Sequence, residues 1–282
     1  MTTTSAEPNE RDLVNGGLRK ALVDGAIVTK RNLIKIKRVP DLLVFTTLSP
    51  IMFILLFAYV LGSAITVGPG ISYREFLIPG IFAQTVIFGA TVTGAGLADD
   101  MQKGIIDRFR SLPMSRSAVL VGRTTSDVLN NVIVIVVMSV TGLIVGWRIR
   151  SSVGEAICGF LLLLLFAYAF SWIMAVVGLT VASPEVVNNA SFIVIFPLTF
   201  IANTFVASSR LPAFLRAIAE WNPVSSVTQA ARQLFGNTGT APLPRGPWSL
   251  HHPIIYTLLW VAVLLAVFVP LSVRQYKRAA TR

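Results

Sequence analysis

Charge is what this sequence has least of. Of its 282 residues only 13% are Asp, Glu, Lys or Arg, while 54% are hydrophobic. Soluble domains are about 25% charged. A chain so poor in charge cannot coat itself with polar groups in water, and a bilayer is the solvent that suits it. There is one cysteine, Cys158, so an intrachain disulfide is excluded; inside an apolar run it reads as a buried structural thiol. The only two histidines, His251 and His252, are adjacent with no Cys or acidic cluster nearby, and read as loop residues rather than metal ligands. No G-x-x-x-x-G-K-[ST] occurs, so the chain has no phosphate-cradling loop of that kind. No nucleophile triad is evident either. No carboxylate falls within a long apolar run, which argues against a proton-coupled carrier, although Asp127, Glu155 and Glu185 stand at run ends. A pump of this makeup draws its energy from another subunit. No internal repeat is evident, which weakens an inverted-repeat transporter reading. The first long apolar run begins near Leu42, too late for a signal peptide, so the first span is expected to be retained.

What is present is six apolar stretches of about the 20 residues that a 30 Å hydrocarbon core requires. They are Leu42–Leu61, Phe76–Leu97, Val128–Trp147, Ala156–Val181, Val186–Val206 and Ile254–Val273, and none contains Asp, Glu, Lys, Arg or His. Each is read as a helix, which satisfies its own backbone in lipid. Pro50, Pro79, Pro197 and Pro270 lie inside them and predict bends rather than breaks. The length fits one compact membrane domain.

Lys and Arg set the direction. The N-terminal tail carries eight, the loop between spans two and three carries five (Lys103, Arg108, Arg110, Arg116, Arg123) and the C-terminal tail four, so one side holds 17. The other side holds seven: Arg74, Arg148, Arg150, Arg210, Arg216, Arg232 and Arg245. The richer side is cytoplasmic, which puts both termini inside. The net charge of +11 therefore belongs beside apolar spans and not to a nucleic-acid binder. Trp147, Tyr256, Trp260 and Tyr276 fall near span ends and are expected to be interfacial anchors.

Three segments are not spans. In the tail, Leu22, Ala26, Thr29, Leu33 and Ile36 share one helical face, with Lys20, Asp24, Arg31, Lys35 and Arg38 opposite. This predicts a helix lying flat on the inner leaflet, the alternative being a basic topogenic tail. In the loop after span two, Asp99 or Asp100 is expected to cap a short helix that stops at Pro113. Phe109 and Leu112 project there from a charged segment, toward a partner or back onto the membrane. In the long outer loop, Leu211 to Ala219 and Ser225 to Phe235 predict two short helices broken at Asn222-Pro223, forming a re-entrant or surface hairpin.

Four segments carry a family resemblance. They are Tyr73-Arg74-Glu75-Phe76-Leu77-Ile78-Pro79-Gly80; Asp107-Arg108-Phe109-Arg110-Ser111-Leu112-Pro113-Met114-Ser115-Arg116 followed by Gly122-Arg123 and Asp127; Ser183-Pro184-Glu185 through Pro197 to Leu211-Pro212; and Asn222-Pro223-Val224 with Ala231-Arg232. In this order and spacing the chain resembles the ABC-2 type permeases, and among them the daunorubicin/doxorubicin-resistance type of drug-export permease. The resemblance implies an all-α integral membrane fold, type V exporter-like. Its parts are residues 1–41 as a cytoplasmic tail with the interface helix, 42–273 as the transmembrane domain with a short outer helical hairpin, and 274–282 as a cytoplasmic tail. It implies a bacterial plasma-membrane location and a permease that hydrolyses no ATP itself. Two copies of a separate ABC ATPase would bind ATP and Mg, and a second permease subunit would complete a homodimer, with lipid around it and a hydrophobic, anthracycline-like drug as cargo.

The resemblance also assigns roles. ATPase coupling falls to Asp107, Arg108, Phe109, Arg110, Leu112 and Pro113, and to the interface helix through Leu22, Ala26, Leu33, Ile36, Arg31 and Lys35. Spans two and five would line the substrate path and dimer interface. On span five Phe192, Phe196 and Phe200 form an i, i+4, i+8 stripe followed by Asn203 and Thr204; span two offers Phe82, Gln84 and Phe88. Such a stripe can equally pack or face lipid, and Asn188 and Asn189 can serve helix–helix bonding. Other readings are a lipid or glycoconjugate exporter of the same family, a non-transport membrane anchor for an ATPase, and an ion-coupled carrier.

Overall fold

The computed structural model describes residues 40–62, 65, 67, 70–106, 118–181, 183–239 and 247–279. The predicted interface helix and the coupling residues Asp107 to Pro113 lie outside the described residues. Within them all regular structure is helical. The helices are α1 (Pro40–Leu56, running into a π-helical turn Phe57–Leu61), α2 (Tyr73–Gly89), α3 (Thr91–Gln102), α4 (Ala118–Val145), α5 (Val153–Thr180), α6 (Pro184–Ile201), α7 (Ala213–Trp221), α8 (Pro223–Leu234), the single turn α9 (Trp248–His251) and α10 (Pro253–Ala279). Among the described residues five segments are long and apolar enough to cross a membrane: Tyr73–Gln102, Val119–Val145, Val153–Thr180, Pro184–Ile201 and Pro253–Arg278. A shorter apolar helix covers Thr47–Val60.

Local sequence explains where these helices begin and end. Ser72 and Ser152 each sit three residues before a glutamate, and both form a full capping box with Glu75 and Glu155. Asn222 accepts from the Val224 backbone N–H at 2.8 Å and Pro223 occupies the first helical position, so the predicted break between the two outer helices falls there. The four prolines stay inside continuous helices. The one interruption of span two comes instead at Ala90, between α2 and α3.

The core forms around α5, which packs against α10, α3, α4 and α8. Gly94 of α3 and Gly178 of α5 bring two backbones together; a Cβ at Gly178 would collide with the Gly94 carbonyl. Small residues at such crossings allow the close van der Waals packing that holds helices together where lipid offers no hydrophobic gain. Helix α8 is short and polar, yet Val224 through Arg232 are all buried, against α2, α5 and α10.

Several sequence expectations change. Cys158 is on the exposed face of α5, not buried; this helix is apolar all round, so its core-facing side is invisible in composition. Trp147 and Tyr276 are buried rather than interfacial. The 146–152 loop tucks beneath α8, where the Trp147 indole N–H donates to Asn237 Oδ1 at 2.8 Å. Tyr276 packs in a second, smaller cluster with Leu97 and Trp172. Asp99 and Asp100 do not start a new helix; α3 continues through both, with Lys103 pairing with Asp99 at 2.7 Å near its end. Helix α6 stops at Ile201, and residues 202–206 turn back toward α8.

The largest change is in span three. Helix α4 begins ten residues before the predicted start, at Ala118, and so takes in Arg123 and Asp127, both buried. A carboxylate does therefore lie within a span-length helix. The two charges stand one turn apart, 3.6 Å between Nε and Oδ2. Arg123 also donates to the Val92 carbonyl at 2.8 Å, and Thr93 donates to Asp127. Pairing and these hydrogen bonds offset part of the burial cost that made each charge look like a boundary. With Arg123 removed from the loop, the Lys/Arg bias still runs 16 to 7 the same way.

Candidate functional site

A cavity of about 380 Å³ opens where α1, α2, α3, α4 and α6 meet. Its volume is within the range of small-molecule sites. Phe53, Phe88, Phe192 and Phe196 give it aromatic walls, and Ser49, Gln84, Thr85, Thr91, Asn130 and Asn131 give it polar points. Among the described residues no charged side chain lines it.

Aromatic rings continue from the cavity in an unbroken series. Phe88 lies 6.3 Å from Phe192, Phe192 4.9 Å from Phe196, and Phe196 4.1 Å from Phe200 in a stacked pair. Phe200 reaches Phe205 at 4.8 Å, and Phe205 stacks on Phe57 at 4.5 Å. The helical spacing of Phe192, Phe196 and Phe200 puts each ring on the next. Phe192 is 55% exposed in the single chain. Asn188 and Asn189 share that outward side of α6 and are exposed.

Four of the seven predicted path residues, Gln84, Phe88, Phe192 and Phe196, come together in the cavity. Phe200 extends the ring series without lining it. Phe82 is elsewhere, fully buried and edge-on to Trp147 and Phe235 at 5.3 and 6.2 Å. Asn203 belongs to a polar cluster at the outer end of α6, where its Oδ1 accepts from Arg232 at 3.0 Å and its Nδ2 donates to Gln229 at 3.3 Å. The sequence reading missed Asn130 and Asn131. Their signal was available: two adjacent amides inside an apolar run are costly in hydrocarbon unless they face protein or a cavity.

Arg232 organises the cluster above. It is 1% exposed and donates to the Phe76 carbonyl at 2.8 Å, Asn203 at 3.0 Å and the Thr204 carbonyl at 3.1 Å. Its guanidinium lies 3.5 Å over the Phe76 ring. Burial pulls its pKa down to about 9, which leaves it protonated at neutral pH. Nearby, Arg150 donates to Glu75 at 2.6 Å and its backbone N–H donates to the Phe235 carbonyl at 2.9 Å. These bonds clamp the start of α2, the end of α6 and the whole of α8 together. Among the described residues no group of three or more His, Cys, Asp or Glu is placed to hold a metal.

Two of the segments that resemble a family motif thus meet in space, Tyr73 to Phe76 with Ala231-Arg232, while Arg123 and Asp127 of a third meet the Val92 carbonyl and the Thr93 hydroxyl of α3. Residues 25–235 match the family model described as ABC-2 type transporter. The chain belongs to the ABC-2 type transporter family. Over 280 residues it is 32% identical to a daunorubicin resistance ABC transporter permease protein of Streptomyces coeruleorubidus, covering 98% of this chain and 95% of that one. It is 24% identical over 286 residues to a probable doxorubicin resistance ABC transporter permease protein of Mycobacterium tuberculosis, covering 100% and 99%. An inner membrane transport permease of Escherichia coli matches at 24% over 195 residues, 68% of this chain and 74% of that protein.

This ABC-2 protein is the permease component of an ABC exporter, a multi-pass protein of the bacterial inner membrane. It carries no nucleotide-binding motif of its own. Permeases of this family work with ATPase subunits, and that division of labour leaves this chain binding, orientation and movement of cargo.

Proposed function

We propose that this permease moves hydrophobic or amphipathic drugs, anthracycline-like in their flat aromatic body, out of the cell, and that two copies of a separate ATPase, which bind ATP and Mg, drive it. The observation that carries this reading is the end-to-end 32% identity to a daunorubicin resistance permease. An uncharged, aromatic-walled cavity adds support, because such walls hold flat ring systems by stacking. Gln84, Phe88, Phe192 and Phe196 serve as the first contacts of the substrate path, with Phe200 above them. The proposal includes six spans, the sixth being α1 with its π-helical turn, and both termini in the cytoplasm, as the charge bias requires. A second copy meets the exposed face of α6, where Asn188, Asn189 and Phe192 stand outward. Asp107 to Pro113 and the basic amphipathic segment before α1 receive the ATPase.

Inverted membrane vesicles holding the permease with its ATPase test the reading. ATP should drive doxorubicin into them, and vesicles lacking the permease should show only passive uptake. Uptake that is the same with and without the permease would overturn drug export.

A further inference from the structure

Asn131 is the anomaly in the cavity wall. It is 1% exposed, it lines the cavity, and its Nδ2 has no hydrogen-bond partner. Buried side-chain amides are nearly always paired, because an unpaired donor in a low-dielectric site loses its bonds to water and gains none in return. The neighbourhood is also shaped around this side chain. Gly89 of α2 faces it, and any Cβ there would collide with Asn131 Oδ1. That carbonyl edge is thus held against the α2 backbone. The rings of Phe88, Phe192 and Phe196 follow one another at 6.3 and 4.9 Å along the same cavity, and among the described residues no charged group lines it.

We infer that Asn131 is a specificity-determining residue: its amide N–H donates to a carbonyl or hydroxyl oxygen on the uncharged part of a planar aromatic compound lying against Phe88, Phe192 and Phe196. This rests on reading the cavity as the substrate site. Aromatic walls alone accept any flat ring. A lone donor already shut off from water and unpaired in the empty site gains a partner only from a ring that carries an acceptor, so such rings are favoured over those without one.

Anthraquinone and anthracene share one tricyclic outline and differ by two carbonyl oxygens, so they isolate the donor. Equilibrium binding to the complete exporter in lipid nanodiscs, corrected for partition into empty nanodiscs, should favour anthraquinone by about tenfold. Asn131→Leu, similar in volume and without a donor, should abolish that preference while anthracene still binds. Gly89→Ala should erode it by pushing the amide aside. Equal binding of both compounds by the wild type, or a preference that survives Asn131→Leu, overturns the assignment. If Asn131→Leu binds neither compound, Asn131→Gln decides: a retained preference supports the assignment and a lost one overturns it. The measurement needs no turnover. A missing ATP-driven uptake of doxorubicin with the anthraquinone preference intact therefore sinks the drug-export reading and leaves Asn131 in place.

Discussion

Arg232 holds a full positive charge where, among the described residues, no carboxylate pairs with it. Two backbone carbonyls, one amide oxygen and the face of a phenyl ring share the load. Arg232→Ala removes all of these partners at once and strands their acceptors in the interior. Hydrogen bonds to charged groups contribute about 1.5–3 kcal/mol each, not additively, so the variant should lose about 3 kcal/mol or more. A thermal melt of the solubilised permease would read this as a clear fall. Arg232→Lys should recover only part, because a point ammonium cannot reach three acceptors in a plane. A melt unchanged by Arg232→Ala would show that the cluster contributes little. The sequence did not reveal this role. Counted with the outer-loop charges, Arg232 is indistinguishable from Arg210 or Arg216, since a charge tally is blind to burial. Asn131 was legible in principle as an amide in an apolar run, but Asn188 and Asn189 offered the same signal and are exposed.

Elements were easier to read than their edges. The spans follow from hydropathy because lipid demands a continuous apolar surface. Five of the six expected spans fall on helices long enough to cross, and the turn at Asn222-Pro223, which follows from capping chemistry, appears where expected. The start of α4 was misplaced because Arg123 and Asp127 look like a boundary until each is seen beside the other and beside its α3 partner, the Val92 carbonyl for Arg123 and the Thr93 hydroxyl for Asp127. The interruption at Ala90 had no proline to mark it. Close crossings are equally hard to read, since twenty glycines in the sequence do not say which two meet. Gly94 and Gly178 do, and that contact predicts a phenotype. Gly178→Leu drives a side chain into the α3 backbone. Overpacking of this kind costs about 1–3 kcal/mol, and the yield of folded protein, measured by fluorescence-detection gel filtration, should fall. Gly154→Leu, placed where a side chain meets open space, is the matched control and should leave yield unchanged. Equal yields of the two would remove the α3–α5 crossing from the account of stability.

For the whole molecule, the unequal distribution of Lys and Arg predicts an orientation, with the richer side inside. In a Cys158→Ala background, cysteines placed at Arg110 and Arg245 report opposite sides. An impermeant maleimide added to intact cells should label position 245 and reach 110 only after permeabilisation. The reverse pattern would invert the map. Orientation also gives meaning to the interruption at Ala90. The half of span two formed by α2, outer in the proposed orientation, is fastened by Arg232 and Arg150; the half formed by α3, inner in that orientation, is fastened by Arg123 and by the backbone contact at Gly178. Phe88 and Gly89 belong to the outer half, Thr91 and Val92 to the inner, and all four border the cavity. The Thr91 hydroxyl reaches back across the joint to the Phe88 carbonyl at 2.7 Å. Span two is thus two levers sharing a fulcrum, and the cavity is the angle between them. A change of angle at Ala90 would therefore change the shape of the cavity, since residues on both sides of the joint line it.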